Sequence, residues 1–361
     1  MSDELDLLRD SAQHYLRDAY DFAARQVVAD SGEAVDESHW QAFTDMGWTA
    51  ITLPETLGGL GLGMSAAGSL AELWGCHLVR EPLLESAVLA GGLLARASGA
   101  TAEQLAAGII DGSVRATVSL ESRTPLTLTT KGAEKSLTGS LEFVNSGGSA
   151  THLIAEAVED TRSCWIAVDL SAAGVTRRCF MNHDGRMGAH ITLDTLVGND
   201  VILVADDTAA ATRGDLLQRA LLLAANESVG LMQGALDLTV DYTKQREQFG
   251  QPLSGFQALQ HRMSDMLIQT ELTRSLALAA CSAYDAGRAD AVQLGLAAKA
   301  KADSAARRVT QEAIQLHGGI ATTNEYRVGH YFKRATLLES WPLHRDAVIE
   351  QFVEQHRAMT S

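Results

Sequence analysis

The chain has little proline, cysteine and aromatic side chain for its length. Of its 361 residues, 5 are proline, 4 are cysteine and 5% are aromatic, whereas 46% are hydrophobic. Few prolines leave long helices uninterrupted, and this much apolar side chain can form a large core. The cysteines are far apart and form no CxxC pair, so they predict reduced, structural thiols and no metal site. We therefore expect a mostly helical protein of two to three domains or layers.

Positive charge and long apolar runs are also scarce. Asp and Glu number 45 against 29 Lys and Arg, which gives a formal net charge of −16. Such a surface repels nucleic acid and anionic membranes, although a local basic pocket could still bind an anionic ligand. No apolar run is long enough to cross a bilayer, and the acidic start, MSDELDLLRD, lacks a signal-peptide pattern. We expect no nucleic-acid partner, no membrane partner and a cytoplasmic location.

Three regions of different character follow one another along the chain. Residues 1–112 carry apolar residues at helical spacing, with a short extended run predicted at 50–55. Residues 113–212 hold short β-branched runs separated by Gly, Ser, Thr and Asp, which is typical of a small β domain. Residues 213–361 return to long helical patterns. The predicted fold class is α+β, mostly α, with an N-terminal helical domain, a central antiparallel β domain and a C-terminal four-helix bundle.

One stretch between two long helical patterns combines a cation, an aromatic ring and amide side chains. It reads REQFGQP over residues 246–252 and continues as GFQ over residues 255–257. Guanidinium, aromatic and amide groups are those with which proteins hold a pyrophosphate and an adenine ring. On its own such a pattern is more often a surface ion pair and a core plug, so other motifs must decide its meaning.

Two further motifs occur in order around it. Residues 47–63 read GWTAITLPETLGGLGLG, and residues 315–326 read QLHGGIATTNEY. Together with the helical, β, helical order, the three motifs resemble the acyl-CoA dehydrogenase family over nearly the whole chain. The resemblance implies FAD between the β domain and the bundle, an acyl-CoA substrate, and a tetramer in which the adenine end of the cofactor crosses a subunit boundary.

The resemblance also implies roles for individual residues. Arg246 would hold the pyrophosphate, Phe249 would pack near the adenine, and the 315–319 segment would serve the cofactor of the neighbouring subunit. His317 is expected to be a shape and hydrogen-bonding residue of that segment, while Phe143 to Asn145 would back the flavin ring. The implied cofactor-binding residues are Arg246, Gln248, Phe249, Gln257, Gln315, Leu316, Gly318, Gly319, Phe143 and Asn145.

The chain departs from the family at both positions that can carry the catalytic glutamate. A gapless count puts Pro342 at one position, with Glu339 three residues earlier, and Ala220 at the other. Glu227 lies two turns beyond Ala220, in an apolar segment where an acid is either paired or has a raised pKa. We expect Glu227 to be a buried carboxylate paired across the bundle, with a catalytic role as the alternative. The catalytic base therefore stays unassigned.

The loop that holds the flavin and its phosphates in the family is altered as well. After the first β run the chain reads SLESRTP over residues 119–125, so Glu121 is kept, Leu120 replaces a threonine, and the glycine-rich segment is missing. In these respects the chain resembles subunits of actinobacterial heterotetramers that act on steroid side-chain CoA thioesters. In such enzymes one subunit type has lost the base and the flavin loop.

Three hypotheses about function follow. The first is an acyl-CoA dehydrogenase, or a subunit of one, that introduces an α,β double bond into a thioester with a bulky or steroid acyl group. Its electron acceptor would be an electron-transfer flavoprotein, and it would be a homotetramer or an α2β2 heterotetramer. The second is a catalytically degenerate partner subunit that shares an interfacial FAD site with a complete homologue. The third is a protein that binds acyl-CoA without redox chemistry.

Overall fold

The computed structural model describes residues 2–120, 125–131, 134–205 and 207–360. The chain forms two compact units. The first unit comprises Met1–Val27, Met64–Val79 and Leu221–Ser361, and the second comprises Val28–Gly63 and Arg80–Ala220. The division into three domains at residues 112 and 212 stays a prediction.

Helices account for most of the described chain. They are α1 Ser2–Asp18, α2 Phe22–Ser31, α3 Glu37–Asp45, α4 Met64–His77, α5 Gly91–Leu94, α6 Ala100–Ile110, α7 Asp207–Gln245, α8 Gln257–Asp285, α9 Ala291–His317, α10 Val328–Ser340 and α11 Arg345–Thr360. A π-helical turn, Leu84–Ala90, precedes α5. Among the described residues, no helix is long and apolar enough to cross a membrane.

The first unit is a helical bundle organised around α9. This helix packs against α8, α10 and α11, and α4 packs against α8 and α1. Six of the fourteen buried residues of α9 are alanine, which allows neighbouring helices to come close. The close approach is most pronounced between α4 and α7, where a Cβ at Gly230 would lie 1.8 Å from the carbonyl oxygen of Glu72. The bundle confirms the helical prediction for the C-terminal region.

The second unit contains the sheet. Its strands are β1 Ala116–Ser119, β2 Leu126–Lys131, β3 Glu134–Val144, β4 His152–Glu159, β5 Arg162–Asp169, β6 Val175–Met181, β7 Met187–Val197 and β8 Ile202–Ala205. The strand order is β6-β7-β3-β2-β4-β5-β8, with β1 also paired to β4. Alternating side chains of five of these strands, mostly Leu, Ile, Val and Ala, form a buried apolar core.

The predicted fold class is confirmed, but the central sheet is mixed and not antiparallel throughout. Strands β1 and β2 both run parallel to β4, whereas the other pairings are antiparallel. The register explains this, because β1 pairs with residues 152–155 of β4 and β2 with residues 157–159. The chain thus continues in one direction along the same edge of β4 instead of reversing in a hairpin.

The extended run predicted at residues 50–55 was also wrong. The structure has single 3-10 turns at Trp48–Ala50 and Glu55–Leu57 instead. The backbone N–H groups of Leu60 and Leu62 donate to the carbonyl oxygens of Ala50 and Ile51 at 3.0 and 2.9 Å. The glycine-rich loop therefore folds back on this segment and takes the hydrogen bonds that a strand partner would have taken.

Candidate functional site

A two-residue hairpin projects from the end of α7. Its strands are β9 Glu247–Gln248 and β10 Gln251–Pro252, and its turn residues Phe249 and Gly250 both have positive φ, at 55° and 81°. A tight hairpin turn of the type I′ class requires positive φ at both positions, so the hairpin holds Phe249 in a conformation that is unusual for a bulky residue. The Phe249 side chain is 90% exposed. The hairpin therefore presents an aromatic ring to other molecules.

Arg246 lies at the base of this hairpin and is exposed. Its carbonyl oxygen accepts from the backbone N–H of Leu253 at 2.8 Å, which closes the hairpin. Within the part of the chain that the structure describes, its guanidinium has no hydrogen bond or ion pair. Gln248 donates its amide to the carbonyl of Glu247, and Gln257 is the exposed first residue of α8. A cation, a ring and an amide are thus available on one surface segment.

The second predicted motif forms the end of α9. Gln315, Gly318 and Gly319 are exposed, whereas the Leu316 side chain is buried, so Leu316 could contribute only its backbone. Gly319 has no positive φ, and no described atom lies within 4 Å of the place that a Cβ would occupy. The chain's own packing therefore does not require glycine here. The space fits the close approach of an outside group.

The structure brings these two motifs together inside the first unit. The Tyr242 ring, one turn before Arg246, stacks on the His317 ring with centroids 4.4 Å apart. Its hydroxyl donates to the His317 carbonyl at 3.3 Å. His317 Nδ1 donates to the Ala313 carbonyl at 2.7 Å, and burial lowers the pKa of the ring. His317 is thus packed and hydrogen-bonded, and its expected role beside a cofactor stays a prediction.

The predicted flavin-backing segment lies in the second unit, at the end of β3. The Phe143 ring is half-buried against Phe180, with centroids 5.7 Å apart. Asn145 Nδ2 donates to Glu85 Oε1 at 2.8 Å, and Thr117 Oγ1 donates to the Asn145 carbonyl at 2.6 Å. Glu85 was missed in the sequence. Its signal is a single acid in the apolar run PLLESAVLA over residues 82–90.

The two acids considered as catalytic bases are both ion-paired. Glu227 accepts two hydrogen bonds from Arg334, at 2.8 and 2.7 Å, and the two side chains are only 1% and 4% exposed. This confirms the expected pairing of Glu227 across the bundle. Glu339 accepts from Arg307 at 3.0 Å. Neither acid is presented as an unpaired carboxylate.

The altered flavin loop is only partly visible. Glu121 to Thr124, and with them the retained acid of this loop, lie outside the described residues. Leu120, which replaces the threonine, is buried, and its carbonyl accepts from Arg213 at 3.3 Å. Among the residues with described positions, no group of three or more His, Cys, Asp or Glu could hold a metal ion.

A helical unit with an exposed hairpin after α7 and a second unit built on a mixed sheet are typical of flavin-dependent acyl-thioester dehydrogenases. Models of the acyl-CoA dehydrogenase N-terminal and C-terminal domains match residues 2–81 and 211–341. Acyl-CoA dehydrogenase IpdE2 of Mycolicibacterium smegmatis is 30% identical over 339 residues, 93% of each chain. IpdE2 of Mycobacterium tuberculosis is 30% identical over 346 residues, 94% of each. The chain belongs to the acyl-CoA dehydrogenase family of FAD-dependent oxidoreductases.

Solved structures show the same fold. The Tcur3481-Tcur3483 steroid ACAD G363A variant is 28% identical with a TM-score of 0.88, covering 100% of this chain and 99% of that one. The ChsE4-ChsE5 complex from Mycobacterium tuberculosis is 22% identical with a TM-score of 0.90, covering 99% and 98%. A glutaryl-coenzyme A dehydrogenase complex reaches a TM-score of 0.92 at 21% identity, covering 99% and 96%. The last two matches speak for the fold alone.

Proposed function

We propose that this chain is one of two homologous subunit types of a heteromeric acyl-CoA dehydrogenase. It holds FAD together with a partner subunit, and the partner supplies the catalytic base. The enzyme introduces an α,β double bond into the CoA thioester of a bulky, steroid-derived acyl group. One observation carries the proposal: the chain presents the exposed ring of Phe249 on its hairpin, while both of its candidate bases are hydrogen-bonded to arginines.

One relative supports two subunit types. The Tcur3481-Tcur3483 protein, at 28% identity, is described as a steroid ACAD and names two components. Carried over to this chain, this match favours an assembly with a homologous partner and a steroid-derived substrate. We further propose an α2β2 tetramer in the cytoplasm, with an electron-transfer flavoprotein as the electron acceptor.

The residues of this chain fit FAD by their chemistry. The unpaired Arg246 guanidinium suits a pyrophosphate, and the exposed Phe249 ring with Gln248 suits an adenine. The empty space beside Gly319 lets a backbone approach a phosphate or ribose without a Cβ in the way. Bound FAD supplies the acceptor for the hydride that leaves the β-carbon. In the second unit, Phe143 and Asn145 would lie beside the flavin ring.

Removal of the α-proton needs a desolvated carboxylate that touches the substrate. Both carboxylate oxygens of Glu227 accept hydrogen bonds from Arg334. Glu227 is therefore held in place inside the bundle, and its charge is balanced there. Glu339 accepts a hydrogen bond from Arg307 and forms an ion pair with it. The chain thus binds and orients, and the proton transfer is assigned to an acid of the partner.

The test is to produce the chain alone and together with a homologous partner subunit. We expect the chain alone to be colourless and inactive. The complex should carry flavin absorption in the visible and should oxidise a steroid-derived acyl-CoA with an artificial acceptor. Its kcat/KM for that substrate should exceed that for a linear acyl-CoA by about tenfold or more, which corresponds to about 1.4 kcal/mol of discrimination. A yellow, active enzyme from the chain alone would contradict the proposal.

A matched pair of variants tests the hairpin within the complex. Phe249→Ala removes the exposed ring and should lower FAD retention about tenfold, the size expected for one stacked aromatic contact. Leu196→Ala removes an exposed apolar side chain of β7 and should leave FAD retention unchanged. If both variants retain as much FAD as the unaltered complex, Phe249 does not contribute to FAD binding.

A further inference from the structure

Glu85 is a buried acid that the proposed reaction does not use. Glu85 is fully buried, with 0% of its surface exposed, and it lies in the π-helical turn Leu84–Ala90 of the second unit. Burying a carboxylate is costly unless it is hydrogen-bonded. Turns of the π type are rare and occur frequently at functional sites. Both features favour a role for this acid beyond filling space.

Hydrogen bonds connect the π-helical turn to the ends of two strands. Glu85 Oε1 accepts from Asn145 Nδ2 at 2.8 Å, and Ser86 Oγ accepts from the backbone N–H of Ala116 at 3.1 Å. The Asn145 carbonyl in turn accepts from Thr117 Oγ1 at 2.6 Å. Ser86 and Thr117 are buried as well. The backbone and the side chain of Asn145 are therefore held by two separate partners.

The contact with Glu85 selects one orientation of the Asn145 amide. Glu85 Oε1 accepts from the NH2 end of the amide, which leaves the oxygen of the amide on the opposite side. Without this partner the amide could turn over, because its terminal torsion is broad and nearly two-fold. Glu85 thus determines where Asn145 presents an acceptor and where it presents its second N–H.

We propose that Glu85 is a positioning residue of the flavin site, which fixes the Asn145 amide in one orientation toward bound FAD. The role rests on the proposed function, because that function puts Asn145 beside the flavin ring. Glu85 acts through Asn145 and is not assigned to the proton transfer. The Asn145 amide would be pre-arranged before the cofactor binds, so less ordering remains to be done on binding.

The contact itself is tested in the full chain without FAD. Asn145→Asp sets a second carboxylate against Glu85 and should lower the folded-to-unfolded ratio at neutral pH by at least about tenfold. This loss of stability should be smaller at acidic pH, where one of the two carboxylates takes up a proton. Glu85→Gln combined with Asn145→Asp restores a donor–acceptor pair with exchanged roles and should recover most of the stability. An unchanged stability of the Asn145→Asp variant would overturn the contact.

The positioning role is tested in the complex with the partner subunit. Glu85→Ala removes the acceptor and should weaken FAD binding about tenfold and shift the visible flavin bands. Glu85→Gln keeps an acceptor oxygen and should stay within about threefold of the unaltered complex in affinity. Ser86→Ala is the matched control, because it removes a buried hydrogen bond of the same turn without touching Asn145. It should lower stability and leave the flavin spectrum unchanged.

Three results would overturn the role, each in a different way. If Glu85→Ala alters only the unfolding transition, with FAD affinity and spectrum unchanged, Glu85 is structural. If Glu85→Gln abolishes turnover while FAD and its spectrum are retained, Glu85 is the base. If the unaltered complex takes up no FAD, the proposed function fails and this role fails with it, while the exchange of roles in the FAD-free chain still shows whether the contact exists.

Discussion

Glu227 of α7 and Arg334 of α10 form a buried ion pair joined by two hydrogen bonds. Glu227→Gln keeps an acceptor but leaves the Arg334 guanidinium buried without a counter-charge. We expect the variant to lower the free energy of unfolding by about 3 kcal/mol, while turnover per bound flavin stays unchanged. Urea unfolding and turnover of the complex measure the two effects.

Glu350→Gln serves as the control for this pair, because Glu350 is an exposed acid of α11. It should change the free energy of unfolding by less than about 0.5 kcal/mol. A Glu227→Gln variant of normal stability that has lost turnover would instead make Glu227 the catalytic base.

A second buried pair predicts how stability depends on pH. Lys299 Nζ lies 2.7 Å from both carboxylate oxygens of Asp303. Burial raises the pKa of Asp303 from 3.8 to about 6 despite the attraction of Lys299, and it lowers the pKa of Lys299. Between pH 3.8 and about pH 6, Asp303 keeps its proton in the native chain but has released it in the unfolded chain. The contribution of Asp303 is thus complete below pH 3.8 and is lost as the pH rises through about 6.

Asp303→Asn should flatten this dependence, because asparagine does not titrate. The measurement is the free energy of unfolding of both proteins between about pH 4 and pH 7. Besides Lys299, two charged groups act on Asp303, namely Glu339 and Arg345. Both are kept in the variant and serve as an internal control. Identical slopes for the two proteins would contradict the raised pKa.

At the scale of helices and strands, the long helices were predictable because their periodicity is local. The end of α9 at His317 followed from the two glycines after it. The parallel pairing of β1 and β2 with β4 was not predictable, because it depends on register between distant segments. The π-helical turn was missed because no sequence pattern separates it from an α-helix.

The candidate site shows the same division. Arg246 and Phe249 were recognisable because their motif is contiguous and the hairpin is local. The stacking of Tyr242 on His317 and the hydrogen bond from Asn145 to Glu85 join residues 75 and 60 positions apart. Such contacts exist only once the fold has formed. A lone acid in an apolar run indicates burial, yet it does not reveal the partner.

The contact between α4 and α7 gives a prediction at the level of whole elements. A Cβ at Gly230 would lie 1.8 Å from the Glu72 carbonyl oxygen and 2.7 Å from the Cys76 nitrogen, and both are backbone atoms that cannot turn aside. Gly230→Ala must therefore separate the helices and should lower the free energy of unfolding by about 3 kcal/mol or more. Thermal or urea unfolding measures the loss.

Gly214→Ala is the matched control on the same helix. No described atom lies within 4 Å of the Cβ position at Gly214. Alanine should therefore raise the free energy of unfolding by up to about 1 kcal/mol, because it restricts the unfolded chain and favours the helix. Similar losses at both glycines would show that helix propensity and not the contact with α4 governs Gly230.

At the scale of the whole molecule, an apolar surface on α8 points to assembly. Four large side chains of this helix are between 45% and 55% exposed, namely Leu267, Ile268, Leu272 and Leu278. Exposed apolar side chains that cluster on one element mark an interaction surface more often than scattered ones do. We expect this α8 surface to be covered by another subunit in the assembled enzyme.

Leu272→Glu should therefore dissociate the assembly, because a charge would have to be buried at the subunit contact. Sedimentation velocity should show a smaller species, whereas Leu7→Glu, at a 70% exposed position on α1, should sediment like the unaltered complex. If FAD is held by two subunits, the dissociated species should also lose its flavin, and a higher protein concentration should restore both assembly and colour by mass action. Flavin that stays bound to the dissociated chain would show that the hairpin and the α9 end serve a cofactor within one subunit.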